Sequence, residues 1–203
     1  MAFTFFFRDN HTLEQLVKHL LPTVQGRSNI KIWDAGCAMG PEPYTLAILL
    51  AEKMGKFAFK NVRIDASDID GSDLFGKIIG EGAYSGEELG RIPREIFERY
   101  FSPVEGKGER YRICESLRQR VLFRRHDLLT LEPFDQGYSL VLCKNVLLHF
   151  APNQRADVIR MFHRVLVPRG LLALEQTQKL PEEVRHLFRQ VIGDAQIFSK
   201  EEP

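Results

Sequence analysis

Apolar residues recur at helical spacing at Leu13, Leu16, Val17, Leu20, Leu21 and Val24, which predicts an amphipathic helix with one face on a core. Thr12 and Gln15, three residues apart, read as a capping box, and Gly26 supplies the stop. The period then changes. Ile30, Ile32, Trp33 and Ala35 make a short strand, and a helix opens at Pro41 and carries Leu46, Ile48, Leu49 and Leu50. Further strands are expected at Val62 to Ser67, at Val121 to Phe123 and over Tyr138 to Asn145. The last is a continuous apolar run, as in a central strand buried on both faces. A helix from about Pro152 stacks Val158, Ile159, Phe162, Val165 and Leu166. Pro168 to Gly170 turns into a strand at Leu171 to Glu175. A last helix is expected to begin at Pro181 and stack Val184, Leu187, Phe188, Val191 and Ile192 before a short strand at Ala195 to Ser199. Strands alternating with helices predict an α/β domain with a mostly parallel sheet.

One segment breaks that rhythm. Glu87 to Tyr100 reads as a helix, while Tyr100 to Pro103 and Gly106 to Ile113 read as a hairpin around a glycine-rich turn. This predicts a small inserted β-subdomain at about 85–120 within one domain spanning 1–203. At 203 residues the chain is long enough for a real core, and 44% hydrophobic with 27% charged residues is ordinary globular composition. The net charge of +1 argues for neither nucleic acid nor a membrane as an obligatory partner. No apolar run reaches the roughly 18 residues of a membrane span, and the Phe-rich start lacks a basic lead and a cleavage site. Cys37, Cys114 and Cys143 form no CxxC pair, so reduced thiols in a cytoplasmic protein are expected. The histidines show no metal-like spacing. The aromatic start, Thr4-Phe-Phe-Phe-Arg8, should fold back on the domain, with a weak dimer contact as the lesser alternative to a monomer.

The chemistry sits between the first strand and the helix after it. Asp34, Gly36 and Gly40 form D-x-G-x-x-x-G on a loop that leads into a helix N-terminus, where unpaired N–H groups face a ligand. A pyrophosphate would be repelled by the Asp34 carboxylate, whereas an amino or sulfonium group would be attracted. Asp68 and Asp70 end the second strand, where such folds hold a ribose diol, and Asp73 reads as a helix-start acid.

In order along the chain, these segments resemble the chemotaxis-receptor methyltransferases of CheR type, which pass a methyl group from S-adenosylmethionine (SAM) to glutamate side chains. The resemblance rests on Thr4 to Arg8, Ile32 to Ala47, Ala66 to Asp70, Tyr84 with Arg99 to Phe101, Leu142 to Phe150, and Leu166 to Gly170. It implies a class I SAM-methyltransferase fold (Rossmann-like) with a C-terminal antiparallel hairpin, and S-adenosylhomocysteine (SAH) as product. It further implies that Thr4 and Arg8 close over the methionine end of the cofactor and that Glu42 lies near its amino group. Asp68 would hold the ribose, Asp127 and Leu128 would flank the adenine, and Asn145 would lie under the sulfonium. The implied partner is a protein acceptor such as a chemoreceptor.

The acceptor side departs from the family pattern. Lys144 stands where the family has Arg, His149 stands where it has Tyr, and no second arginine appears between Leu13 and Val24. Ala38-Met39 replaces a serine–threonine pair, Pro41 replaces an acid, and Leu174-Glu-Gln-Thr177 replaces the closing Gly-x-Ser-Glu. The family's N-terminal helical domain is expected to be absent. Lys offers charge without the planar fork by which Arg orients a carboxylate, and His149 can donate a hydrogen bond or act as a base. Three readings follow. The first is a SAM-dependent protein-glutamate methyltransferase with Lys144, His149 and Arg8 on the catalytic side. The second is a SAM methyltransferase with another acceptor, and the third is a non-catalytic SAM- or SAH-binding signalling module.

Overall fold

A computed structural model describes residues 4–106 and 108–201. In chain order its elements are α1 (Asn10–Val24), β1 (Ile30–Ala35), α2 (Pro41–Phe59), β2 (Val62–Asp68), α3 (Phe75–Glu81), β3 (Ala83–Ser85), α4 (Gly86–Leu89), α5 (Arg94–Tyr100), β4 (Phe101–Pro103) and β5 (Arg110–Ile113). There follow α6 (Glu115–Arg118), β6 (Val121–Arg125), β7 (Tyr138–Cys143), α7 (Pro152–Val165), β8 (Leu166–Leu174), α8 (Glu182–Arg185), β9 (Phe188–Gln190) and β10 (Ile197–Lys200). Seven strands form the main sheet in the order β6-β2-β1-β7-β8-β10-β9. The first five are parallel, and β10 pairs antiparallel with both β8 and β9.

The sheet separates two cores because successive side chains of a strand point to opposite faces. On β1, Ile30 and Ile32 join α1 and α2 on one side. Trp33 and Ala35 join α7 on the other, where Ile159 and Phe162 are buried. The start of the chain packs down as its aromatics require. Phe6 is fully buried and meets Tyr84 and Phe101 edge-on, at 4.9 and 5.8 Å between ring centroids. Among the described residues no helix is long and apolar enough to cross a membrane.

Several boundaries differ from the sequence expectation. Helix α1 starts at Asn10, so Thr12 lies inside it and makes no capping box with Gln15; Asp9 holds the N-cap position. Asp73 does not start α3. Leu74 holds the N-cap position, and the Asp70 carboxylate, four residues earlier, accepts hydrogen bonds from the N–H groups of Leu74 and Phe75. The single helix expected over Glu87 to Tyr100 is two short ones, because the chain breaks across Gly90–Pro93. The inserted subdomain gains a third strand. β3 pairs with β5 and β5 with β4, making a sheet of order β3-β5-β4.

The turn expected at Pro168 to Gly170 is an irregularity inside β8, with Arg169 at φ 61°. The long last helix is also overturned. It stops at Arg185, and Phe188–Gln190 runs as an edge strand whose backbone pairs with Phe198 to Lys200. Its apolar residues fit a helical stripe, but the unpaired edge of β10 supplies hydrogen bonds that helix propensity cannot match.

Candidate active site

At the C-terminal ends of β1, β2, β6 and β7 lies a cleft of about 630 Å³. Parallel strands all end on this side, so their loops converge here. Its floor begins with the β1–α2 loop, which β2 holds in place: the N–H groups of Gly36 and Cys37 both donate to the Ser67 carbonyl, at 2.7 and 3.0 Å. Gly36 adopts φ +105°, and a Cβ there would lie 2.0 Å from Val146 Cγ2. Gly40, at φ +100°, would meet Ile79 and the Tyr84 hydroxyl at 2.7 Å. Both glycines are therefore required by protein packing. Gly36 lines the cleft, whereas Gly40 lies behind it as the N-cap of α2. The Tyr84 hydroxyl donates to the Met39 carbonyl at 2.9 Å, so the small subdomain buttresses the loop.

Of the residues singled out in the sequence, Thr4, Arg8, Glu42, Asp68, Asp127 and Leu128 line this cleft, as do Lys144, Asn145 and His149. Asp68 Oδ2 accepts from the Ala38 N–H at 3.0 Å and Oδ1 from the Asp70 N–H at 3.2 Å, which fixes the carboxylate at the cleft wall. Asp127 caps the next turn, its Oδ1 accepting from the Leu129 N–H at 2.9 Å. Asn145 is held at φ 59°, and its Oδ1 accepts from Arg8 Nη2 at 3.3 Å. His149 is exposed at the mouth, on a single 3-10 turn beside Leu148.

Lys144 faces inward. Its side chain is 1% exposed, and its Nζ lies 2.9 Å from Asp9 Oδ2 and 3.4 Å from Glu42 Oε2. Burial alone would lower the lysine pKa, but the charges of Glu42 and Asp9 outweigh it and keep the ammonium protonated. Asp9 escaped the sequence reading, since an acid at a helix start is ordinarily a cap. Its only signal was its place directly after Arg8.

Asp34 is fully buried at the end of β1 and does not line the cleft. No N–H or O–H donor among the described residues reaches its oxygens, and its nearest polar neighbour is the Glu42 carboxyl, with which it is hydrogen-bonded when one of the two holds a proton. Burial pushes its carboxyl well above the ordinary aspartate value, and the charge of Glu42 adds to this while Lys144 partly offsets it. Burial also raises Glu42, against the charges of Lys144 and Arg8. Two adjoining carboxyls, both raised by burial, suit a ligand that brings a cation and N–H donors. Nucleophilic chemistry by the local thiols does not fit. Burial holds Cys37 and Cys143 well above the ordinary thiol value, hence protonated.

The sequence model for the SAM-binding domain of the CheR methyltransferases matches residues 2–197. The chain belongs to the CheR methyltransferase family. Relatives include the chemotaxis protein methyltransferase of Listeria monocytogenes, 30% identical over 86% of this chain and 64% of that protein. Another is chemotaxis protein methyltransferase 1 of Pseudomonas aeruginosa, 32% identical over 87% of this chain and 66% of that one. The chain thus spans just under two thirds of the length of either. In fold it is similar to the rRNA methyltransferase aviRa from Streptomyces viridochromogenes, with a TM-score of 0.52 and 17% identity over 93% of this chain and 83% of that one. The fold is that of the class I methyltransferases, and SAM is the cofactor of this CheR-family domain.

Proposed function

We propose that this CheR-family chain transfers the methyl group of SAM to a carboxylate on a protein, and that the acceptor is a glutamate of a chemoreceptor or related signalling protein. The single observation that carries the reading is the buried acidic pair of Asp34 and Glu42 at a cleft also lined by Asp68 and Asn145. In this reading Glu42 receives the cofactor's α-ammonium at the cleft wall, and Asp34, buried behind it, acts through the charge of the pair. Asp68 accepts from the ribose hydroxyls, Asp127 and Leu128 border the adenine, and Thr4 and Arg8 close over the amino-acid end. Gly36 gives that end access, and Gly40 sets the helix start behind it.

Bound SAM supplies a sulfonium-activated methyl group. A glutamate acceptor is ionised at neutral pH, so the protein needs no general base and has chiefly to align and desolvate the attacking oxygen. Arg8 and His149 line the cleft, and in this reading they orient the acceptor. Lys144 acts behind them, its charge already shared by two carboxylates. The three free cysteines and the family membership support a cytoplasmic location.

The test uses SAM labelled in the methyl group and a chemoreceptor cytoplasmic fragment. A carboxyl ester releases its label as volatile methanol in mild base, whereas methyl groups on nitrogen or sulfur stay put. We expect base-labile label on the fragment. Base-stable label would replace the acceptor class, and SAH binding without transfer to any fragment would leave a sensor.

Proton linkage supplies a second expectation. A cation at the Asp34–Glu42 pair favours the ionised carboxyls, so SAH binding should release protons and tighten as pH rises through the raised Asp34 value. Without ligand the folded state holds a proton that the unfolded chain has already lost. Folding stability should therefore fall as pH rises through the same window. Calorimetry in two buffers of different ionisation enthalpy measures the release. It should shrink in Asp34→Asn, and an unchanged release would move the proton elsewhere.

A further inference from the structure

We infer that Asp9 is a positioning residue of the cofactor site: by sharing the Lys144 ammonium it keeps Glu42 available to the cofactor's amino group. This rests on the cofactor reading above. Aspartate is among the strongest helix N-caps, and Asp9 stands at the N-cap of α1, yet its side chain makes no cap hydrogen bond. The carboxylate reaches across to Lys144, 135 residues away in sequence, at 2.9 Å.

The backbone is set for this reach. Phe7, Asp9 and Asn145 all adopt left-handed φ values, of 59°, 51° and 59°. Such strain persists only where the surroundings impose it. Here they do, because Phe6 is wedged beneath Tyr84 and the Phe7 N–H donates to Thr45 Oγ1 at 3.1 Å. Arg8, between the two strained residues, is thereby aimed at Asn145.

Without the Asp9 charge, Lys144 would have one carboxylate within ion-pair reach among the described residues, that of Glu42. Its ammonium, now 3.4 Å from Glu42, would close on that group and neutralise it. A ligand ammonium would then compete with an internal one. Asp9 prevents this at a distance, through Lys144, and needs no contact with the cofactor.

The test compares two probes by calorimetry, SAH and 5′-methylthioadenosine, which keeps the adenosine and thioether but lacks the amino-acid end. The variants are Asp9→Asn, isosteric and uncharged, and Asp9→Ser, uncharged but a good helix cap. Both should weaken SAH about tenfold, the scale of one charged hydrogen bond, and leave methylthioadenosine within about twofold. In a Lys144→Met background, Asp9→Asn should have no further effect on SAH. Equal losses for both probes, restoration by Ser, or a full Asp9→Asn effect without Lys144 would make Asp9 a structural residue and overturn the inference. The Asp9 side chain is 40% exposed, so its variants should fold. If Lys144→Met does not fold, the ratio of the two probes decides alone. Absence of SAH binding by the unmodified protein would overturn the cofactor reading itself, and that outcome is distinct from a selective loss in the variants.

Discussion

Replacing Asp68 by alanine is expected to weaken SAH binding by about a hundredfold, the loss of two hydrogen bonds from a charged acceptor at roughly 1.5 kcal/mol each. Two effects add in that variant. In the proposed cofactor pose the ribose hydroxyls lose their acceptor, and the Ala38 and Asp70 N–H groups lose the carboxylate that now orders the β1–α2 loop and the β2–α3 turn. Asp68→Asn separates them. It keeps a carbonyl for one N–H and one hydroxyl, so its loss should be about tenfold. Calorimetric titration of the three proteins with SAH reads both steps. Equal affinity in all three would remove Asp68 from the site and would leave the cleft wall without a ribose anchor.

The largest effect on stability is expected at Gly36. Alanine there must adopt φ +105° and place its Cβ 2.0 Å from Val146 Cγ2. Backbone strain and overpacking each cost roughly 1–3 kcal/mol, so Gly36→Ala should lose about 3–5 kcal/mol. For a domain of this size that is a fall in Tm of about 10 °C. Gly26→Ala is the comparison, since Gly26 is also at positive φ, +76°, but nothing lies within 4 Å of its would-be Cβ. It should show the conformational cost alone, about 1–2 kcal/mol. Adding Val146→Ala to Gly36→Ala should recover the overpacking share. A Gly36→Ala protein that melts with the wild type would mean that the loop moves freely against β7. The cleft floor could not then be preorganised.

The two glycines also mark how far sequence reasoning reached. D-x-G-x-x-x-G located the loop, and Asp34 indicated a cationic ligand in place of a phosphate. Both readings depend on residue type and spacing within a few positions of one another, which is where local chemistry acts. Why Gly36 and Gly40 must be glycine was another matter. The answer lies in Val146, Ile79 and Tyr84, which come from three other segments.

The fold class, a small antiparallel sheet between β2 and β6 and most of the cleft-lining residues were legible in the chain. Alternating periods of hydrophobicity specify which faces are buried, and six motifs in order fix what that alternation builds. Tertiary structure decided the rest. It made a strand of Phe188–Gln190, because an open sheet edge on β10 satisfies that segment's backbone where a solitary helical stripe would not. It turned the Asp70 carboxylate onto the N–H groups of Leu74 and Phe75, at the start of α3, because the bend after β2 brings them together. It brought Lys144 against Asp9 and Glu42. A buried ammonium takes the carboxylates that folding brings within 4 Å, and nothing within a few residues of Lys144 in sequence names them.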